Sequence, residues 1–304
     1  MRPPLPFINA PSAAGPARPT GGVGAVACLV GPEAPLRLVP KARSTHSVNV
    51  YDFYKPSLSS EYPAVDGALS QACYIKAVDD CYNGALDKLQ KQPATARGTH
   101  LSVETAFDHM VFHSPYNKLV QQSFRRMLFN DARRAKAAGI ALPAHLAALE
   151  PFVGLPEAAT LTNRDLDKAL QAVKSDAYAR MVGPSEGFSK NIGNSYTGAV
   201  YSNLACLVDS AGAGLAGKRV GVFSYGSGAI ATLFALDAHT SRPGSAFSIP
   251  RIANTIQLQP RLTARREATP AEFTEALKMR EASYGKVGER AQYYTQHRLH
   301  ISSA

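Results

Sequence analysis

The stretch FDHMVFHSPYNKLVQQSFRRMLFND, residues 107–131, decides how this chain folds. Phe107 to Phe112 is a short apolar run and reads as a strand. Beyond it, Tyr116, Leu119, Val120, Phe124, Met127 and Leu128 recur at spacings of three and four, the stripe of a half-buried helix. Ser114 is the natural N-cap of that helix and Pro115 its first residue. His113 stands at the join, at the carboxyl end of a strand, where ligands gather in α/β proteins.

Outward from this unit, the same alternation continues. GAVACLVG (24–31) and LRLV (36–39) are strand candidates, and a Pro-bearing loop, YDFYKPSLSSEYPAVDG, follows them. Leu69, Cys73, Val78, Cys81, Ala85 and Leu89 approximate a helical stripe with Ser70 near its start. TLTNRDLDKALQAVKSDAYARMV is a further helix entered through Thr162 or Asn163, and NIGNSYTGAVYSNLACLV is a polar loop running into a small-residue helix. In KRVGVFSYGSGAIATLFAL two apolar runs flank Tyr225, Gly226, Ser227 and Gly228; two strands joined by a tight turn and a strand leading to a helix both satisfy it. Thr269, Pro270 and Glu272 begin a last helix as a capping box. The class is α/β.

The chain has 304 residues, 45% of them hydrophobic, enough for one large or two modest domains. Its formal net charge of +10 favours an anionic partner: nucleic acid, an anionic membrane surface or a phosphorylated small molecule. No apolar run approaches the length of a membrane span. The four cysteines include no CxxC pair, and Cys73 and Cys81 share a helix face, so they read as reduced core thiols rather than a zinc site or disulfide framework. The first twenty residues hold six prolines and form an irregular arm, with neither the apolar core of a signal peptide nor a convincing amphipathic transit pattern.

Taken singly, the polar residues leave function open. The imidazole of His113 can give a hydrogen bond or a proton to a substrate carbonyl, or simply be a loop histidine. Lys118, one turn into the helix, suits a phosphate or solvent. The run Lys118, Arg125, Arg126, Arg133, Arg134 and Lys136 lacks interleaved aromatics and reads as a solvated helix face rather than a nucleic-acid footprint. FSYGSG has Val222 where a nucleophile elbow around Ser224 needs glycine, and no G-K-[ST] makes a phosphate loop.

Taken together, ARPTGGVGAVACLVGPEAPL, YDFYKPSLSSEYPAVDGALSQACY, VFHSPYNKLVQQSFRRMLFND, LTNRDLDKAL, GNSYT and LAGKRVGVFSYGSG resemble the hydroxymethylglutaryl-CoA synthase family of the thiolase superfamily, in that family's order and over roughly residues 15–285. The resemblance implies a thiolase-like layered α/β fold, with the end of its first half and most of its second half in this chain. It implies condensation of acetyl-CoA with acetoacetyl-CoA and water to 3-hydroxy-3-methylglutaryl-CoA and CoA, in the mevalonate pathway. CoA thioesters are then substrates, and no cofactor or metal is expected.

Residue by residue, the family's F-H-S/T-P histidine matches His113, which would bind or protonate the acetoacetyl group. The asparagine of G-N-x-Y-T matches Asn194, an amide for a thioester carbonyl. The serine of Y-G-S-G matches Ser227, the serine after V-D-G matches Ser70, and a CoA-binding lysine matches Lys118. The aromatic of D-F-Y-K-P, which lines the family's site, matches Phe53.

The chain also departs from the pattern. A second CoA-contacting lysine is here Gln122. Residues 1–14 form the Pro-rich arm, 15–285 the family-like region, and 286–304 a divergent tail. The family's nucleophilic cysteine and acid/base glutamate belong to a half with no match here; Cys28 falls where the family has a core residue. The expectation is therefore a chain inactive alone, homodimeric when full length, cytoplasmic, with no nucleic-acid or membrane partner. The competing reading is a non-catalytic CoA-binding or interaction protein derived from this family, and a weaker one is another thiolase-like condensing enzyme.

Overall fold

The two apolar runs around YGSG are strands joined by a tight turn, and they build the centre of the sheet. The structure, a computed structural model, describes residues 18–284 apart from 58, 61, 93–99, 174, 242–244 and 246. The arm 1–14 and the tail 286–304 lie outside the described residues. Strands run β1 (Leu36–Leu38), β2 (Ser44–Ser47), β3 (Phe53–Tyr54), β4 (Ala64–Val65), β5 (His109–Phe112), β6 (Arg219–Gly226) and β7 (Ile230–Ala238). The helices are α1 (Gly67–Gln90), α2 (Val103–Ala106), α3 (Asn117–Ala137), α4 (Glu157–Thr160), α5 (Arg164–Ala172), α6 (Ala177–Met181), α7 (Gly187–Ile192), α8 (Ala199–Ala211), α9 (Ile249–Ile256), α10 (Leu258–Thr263) and α11 (Pro270–Ser283).

The main sheet has the order β1-β7-β6-β5, with β2 beside β1 along β7. β5 runs parallel to β6, with Phe112 opposite Phe223, and β6 runs antiparallel to β7, with Gly226 opposite Ile230. Successive strand residues point to opposite faces, and both faces are covered. Phe112, Phe223, Tyr225 and Leu233 enter one core with Tyr74, Val78 and Leu86 of α1 and Phe124 and Met127 of α3. Val111, Val220, Val222 and Leu236 enter a second with Val200 and Leu207 of α8 and Ile249 of α9. Covering on both sides explains why β5 and β6 read as near-continuous apolar runs rather than alternating ones.

Several expected boundaries move for local reasons. α1 starts at Gly67 because Asp66 is its N-cap, accepting Leu69 N–H. Ser114 is not the N-cap of α3: it precedes a proline, which disfavours helical backbone, and Tyr116 is still extended at φ −162°, ψ 150°. The Tyr116 hydroxyl accepts from Gln71 Nε2 at 2.6 Å, holding that extended corner, and Tyr116 is the cap position. The helix through Asn163 stops at Ala172; Asn163 caps it by accepting the N–H groups of Asp165 and Leu166. Ser175 Oγ then takes Ala177 N–H at 3.1 Å, a local bond that competes with helix continuation. The capping box at Thr269 and Glu272 forms as expected.

One expectation fails outright and another holds only in part. GAVACLVG is not a strand: among the described residues it has no strand partner, and Leu29 (66% exposed) and Val30 (91%) face outward with Cys28. A strand needs a neighbour to take its N–H and C=O groups, so apolar content alone does not make one. The basic run is a solvated face only in part: Lys118 and Lys136 are exposed, whereas Arg126 is not. Neighbours such as Arg125 and Arg126 lie about 100° apart around a helix. Arg126 is buried and grips Asp79 at 2.6–3.0 Å, with Thr160 and Asn130 completing the cluster between α1 and α3. Arg134 pairs with Asp87 and Lys136 with Glu150.

Candidate functional site

Because β5 and β6 are parallel, His113 and the turn after Gly226 arrive at the same sheet edge. His113 N–H donates to Phe223 O at 2.7 Å, extending the ladder by one residue. Its carbonyl accepts the Tyr74 hydroxyl at 2.6 Å, and the Tyr74 ring stacks on the imidazole with centroids 6.5 Å apart. The residue is only 9% exposed, and burial pushes the imidazole pKa down to about 4. At neutral pH the ring is uncharged, with one N–H donor and one lone pair. Neither ring nitrogen meets a hydrogen-bond partner among the described residues.

Tyr74 continues the contact to Tyr225, 4.7 Å between centroids. Tyr225 O–H reaches Asp52 Oδ2 at 3.4 Å, and Gly228 N–H donates to Asp52 Oδ1 at 2.8 Å. Asp52, fully buried, thereby ties the YDFYKP loop to the turn that carries Ser227, while Asp66 N–H holds its backbone carbonyl at 2.8 Å. Burial and the Asp52 charge keep the Tyr225 phenol protonated, far above its ordinary range. Ser227 itself is exposed at the turn.

Phe53 follows Asp52 and meets Tyr196 edge to face at 6.4 Å. Tyr196 N–H donates to Asn194 Oδ1 at 2.8 Å, so the oxygen of that amide is directed into its own loop. The loop is held by the PTGG segment: Asn194 N–H donates to Thr20 O and Gly22 N–H to Asn194 O, both at 2.9 Å. A Cβ on Gly22 would stand 2.2 Å from Ile192 O, and Gly193 adopts φ +89°. Only glycines allow these two backbones to lie so close.

Three of the five expected residues are joined through these contacts, and a fourth lies beside them. Ser70 lies in the first turn of α1, half-buried, one turn before Tyr74 and on its face. His113, Ser227 and Asn194 connect through Tyr74, Tyr225, Asp52, Phe53 and Tyr196. Lys118 lies apart from this chain of contacts: it is exposed in the first turn of α3 and its ammonium forms no ion pair among the described residues. Asp52, Tyr74 and Tyr225 escaped the sequence reading, although Asp52 stands beside the quoted Phe53. Nothing in a single sequence pairs it with a turn 176 residues on.

The thiols are quiet. Cys73, Cys81 and Cys206 all have raised pKa values, with burial the largest cause and the Asp52 charge adding to it at Cys73. A groove of about 880 Å³ lies between the later turns of α1 and α3 and the segment 150–157, away from His113. Its charges are largely paired, Lys136 with Glu150 inside the groove and Asp79, Glu157 and Arg134 with Arg126, Lys76 and Asp87 beside it. No cluster of His, Cys, Asp or Glu among the described residues is placed to hold a metal, and no described helix is long and apolar enough to cross a membrane.

Residues 37–299 match the family model for the hydroxymethylglutaryl-coenzyme A synthase C terminal region. The chain is 43% identical over 275 residues to mitochondrial hydroxymethylglutaryl-CoA synthase of Homo sapiens, covering 90% of this chain and 54% of that protein. It is 42% identical over 278 residues to the cytoplasmic enzyme of Homo sapiens, covering 90% and 52%. The solved structure of MvaS in complex with 3-hydroxy-3-methylglutaryl coenzyme A superposes with a TM-score of 0.69 at 25% identity, over 87% of this chain and 56% of that one. The layering is thiolase-like, as expected. The chain spans about half the length of the relatives it matches.

Proposed function

Because this chain belongs to the hydroxymethylglutaryl-CoA synthase family, we propose that it carries the acetoacetyl-binding side of an acyl-CoA condensing site. In the reaction, the acetyl methyl gives up a proton and its carbon bonds to the ketone carbon of acetoacetyl-CoA, while the ketone π pair moves onto oxygen, which takes a proton to become a tertiary hydroxyl. Water then cleaves the acyl thioester, giving 3-hydroxy-3-methylglutaryl-CoA and CoA. The observation that supports this reading is His113, a buried, neutral imidazole whose ring nitrogens meet no hydrogen-bond partner among the described residues. A neutral N–H aimed at a ketone oxygen gains strength as that oxygen becomes anionic, and the low dielectric of a buried site enlarges the gain. Asn194, Ser227 and Ser70 are the polar groups that would orient the thioester, and Lys118 would face the CoA phosphates.

Three of the chain's four cysteines support a division of labour. Covalent capture of an acetyl group needs a thiolate, and burial holds Cys73, Cys81 and Cys206 as thiols. The same observation favours the second reading, a CoA-binding protein without turnover. Purified chain mixed with labelled acetyl-CoA and acetoacetyl-CoA tests both. Binding of acetoacetyl-CoA without acetyl transfer to protein is expected; no binding overturns the proposal, and turnover removes the second reading. A homodimeric full-length form and a cytoplasmic location belong to the same proposal. Reduced cysteines suit a cytoplasmic location, relatives of nearly equal identity are mitochondrial and cytoplasmic, and fractionation decides.

A further inference from the structure

The backbone around His113 is held at three points by three elements. The peptide unit between Phe112 and His113 is planar and trans, so its C=O and N–H point in opposite directions. The N–H end is pinned to Phe223 O of β6 at 2.7 Å. The C=O end, facing away from β6, accepts Asn203 Nδ2 of α8 at 3.0 Å. The next unit is pinned at its own carbonyl by the Tyr74 hydroxyl of α1 at 2.6 Å. With both flanking planes fixed, φ and ψ of His113 are fixed, and so is the direction of its Cα–Cβ bond. The stacked Tyr74 ring restricts what rotation is left.

Asn203 is an unusual choice for packing alone. It is buried in the face of α8 that covers the sheet, and its Oδ1 is buried too, with no hydrogen-bond partner among the described residues. The side chain satisfies the Phe112 carbonyl while its own acceptor stays unmet, and an unmet buried polar atom is costly. An apolar residue would suit the helix face but would strip the last outward carbonyl of β5 of its donor. Two residues earlier, Met110 O has only a long contact from Ser185 Oγ, 3.4 Å, and that hydroxyl is better placed on Val182 O at 2.8 Å. The firm clamp on this edge is at the residue preceding the histidine.

We infer that Asn203 is a positioning residue for His113: from α8 it fixes the peptide plane that aims the imidazole into the site, opposite the hold that Tyr74 exerts from α1. The inference deepens the proposed function and rests on His113 as the group that meets the acyl carbonyl.

The test uses the full chain with isotope-labelled histidine, the His113 ring signal being assigned by its loss in His113→Gln. In the unsubstituted chain the ring should titrate far below an ordinary histidine, because it is buried and no charged group sets its value. In Asn203→Ala the clamp is gone; the titration should move up toward the ordinary range, and acetoacetyl-CoA affinity should fall roughly 3- to 10-fold. Asn203→Gln, which keeps a donor, should recover part of both. Ser185→Ala, which cuts the neighbouring contact on the same edge, should change neither. Should Asn203→Ala not fold, Asn203→Leu fills the space without a donor and takes its place. An unchanged titration in folded Asn203→Ala or Asn203→Leu overturns the inference, and so does an equal shift in Ser185→Ala, which would mean general loosening of the strand. If the unsubstituted chain binds no acetoacetyl-CoA, the proposed function fails, while the titration still decides the role of Asn203.

Discussion

The carboxylate of Asp52 accepts Gly228 N–H at 2.8 Å, so the loop that carries Phe53 and the turn that carries Ser227 move as one piece. Asp52 is fully buried and its second oxygen faces the Tyr225 hydroxyl. Removing it leaves a buried N–H and a buried O–H without their acceptor. Asp52→Ala should lower unfolding free energy by about 2–4 kcal/mol, and Asp52→Asn, which keeps one acceptor, by less. Urea denaturation of the three proteins checks the order; equal stability of Asp52→Ala and the parent would show that the two segments are held elsewhere.

Two buried groups give the protein opposing pH slopes. His113 has a folded pKa of about 4, lowered by burial from an ordinary value near 6.5. Between those values the unfolded chain binds more protons, so the stability due to neutral His113 is complete above about pH 6.5 and is lost as pH falls toward 4. Asp131 behaves oppositely. Burial raises it to about 7, against the hydrogen bonds from Tyr82 and Val103 N–H. Its contribution is complete below about pH 4 and is lost as pH rises through 7.

Between pH 4.5 and 6.5 the two slopes should largely cancel in the parent protein. His113→Gln should leave the Asp131 slope alone, so that stability falls as pH rises; Asp131→Asn should reverse that sign. Each slope is at most about 1.4 kcal/mol per pH unit. Melting temperatures across this window read both, and parallel curves for the two variants would remove one titration from the account.

Midway along α1, Asp79 and Arg126 of α3 are both about 96–97% buried as side chains and 2.6 Å apart. Arg126→Met strands a carboxylate between two helices and should cost about 3–5 kcal/mol. The double variant Asp79→Leu with Arg126→Met has no stranded charge and should be much closer to the parent. A double variant as unstable as the single one would mean that Thr160 and Asn130, not the ion pair, carry the packing there.

How far the sequence could be read depends on the range of each interaction. Strand β5, helix α3 and the cap at Thr269 follow from local periodicity and capping chemistry, and they stand within a few residues of expectation. The Ser114 cap was misjudged because Pro115 keeps its neighbour extended and Tyr116 is tied to Gln71 on another helix. Arg126 looked solvated because its partner Asp79 lies 47 residues away. GAVACLVG has the composition of a strand but no strand partner among the described residues. His113 was marked by its place at a strand end, whereas the side chains that hold it, Tyr74 and Asn203, carry no local signal. They lie 39 residues before it and 91 residues after Phe112, and only the fold brings them there.

Lys118 and Gln122 lie one turn apart on the same face of α3, Lys118 exposed and Gln122 half-buried. If that face meets CoA, the first supplies an ammonium to phosphate and the second only a neutral amide. An exposed charge contact changes affinity by roughly 1.4- to 5-fold. Gln122→Lys should therefore tighten CoA-ester binding by about that factor and Lys118→Gln should weaken it similarly. Both effects should shrink as salt rises and the Debye length drops below about 8 Å. Calorimetric titration at low and high salt measures them. Because Lys118 lies outside the contacts that join His113, Asn194 and Ser227, silence of both substitutions at low salt would detach the start of α3 from the site and leave that cluster standing.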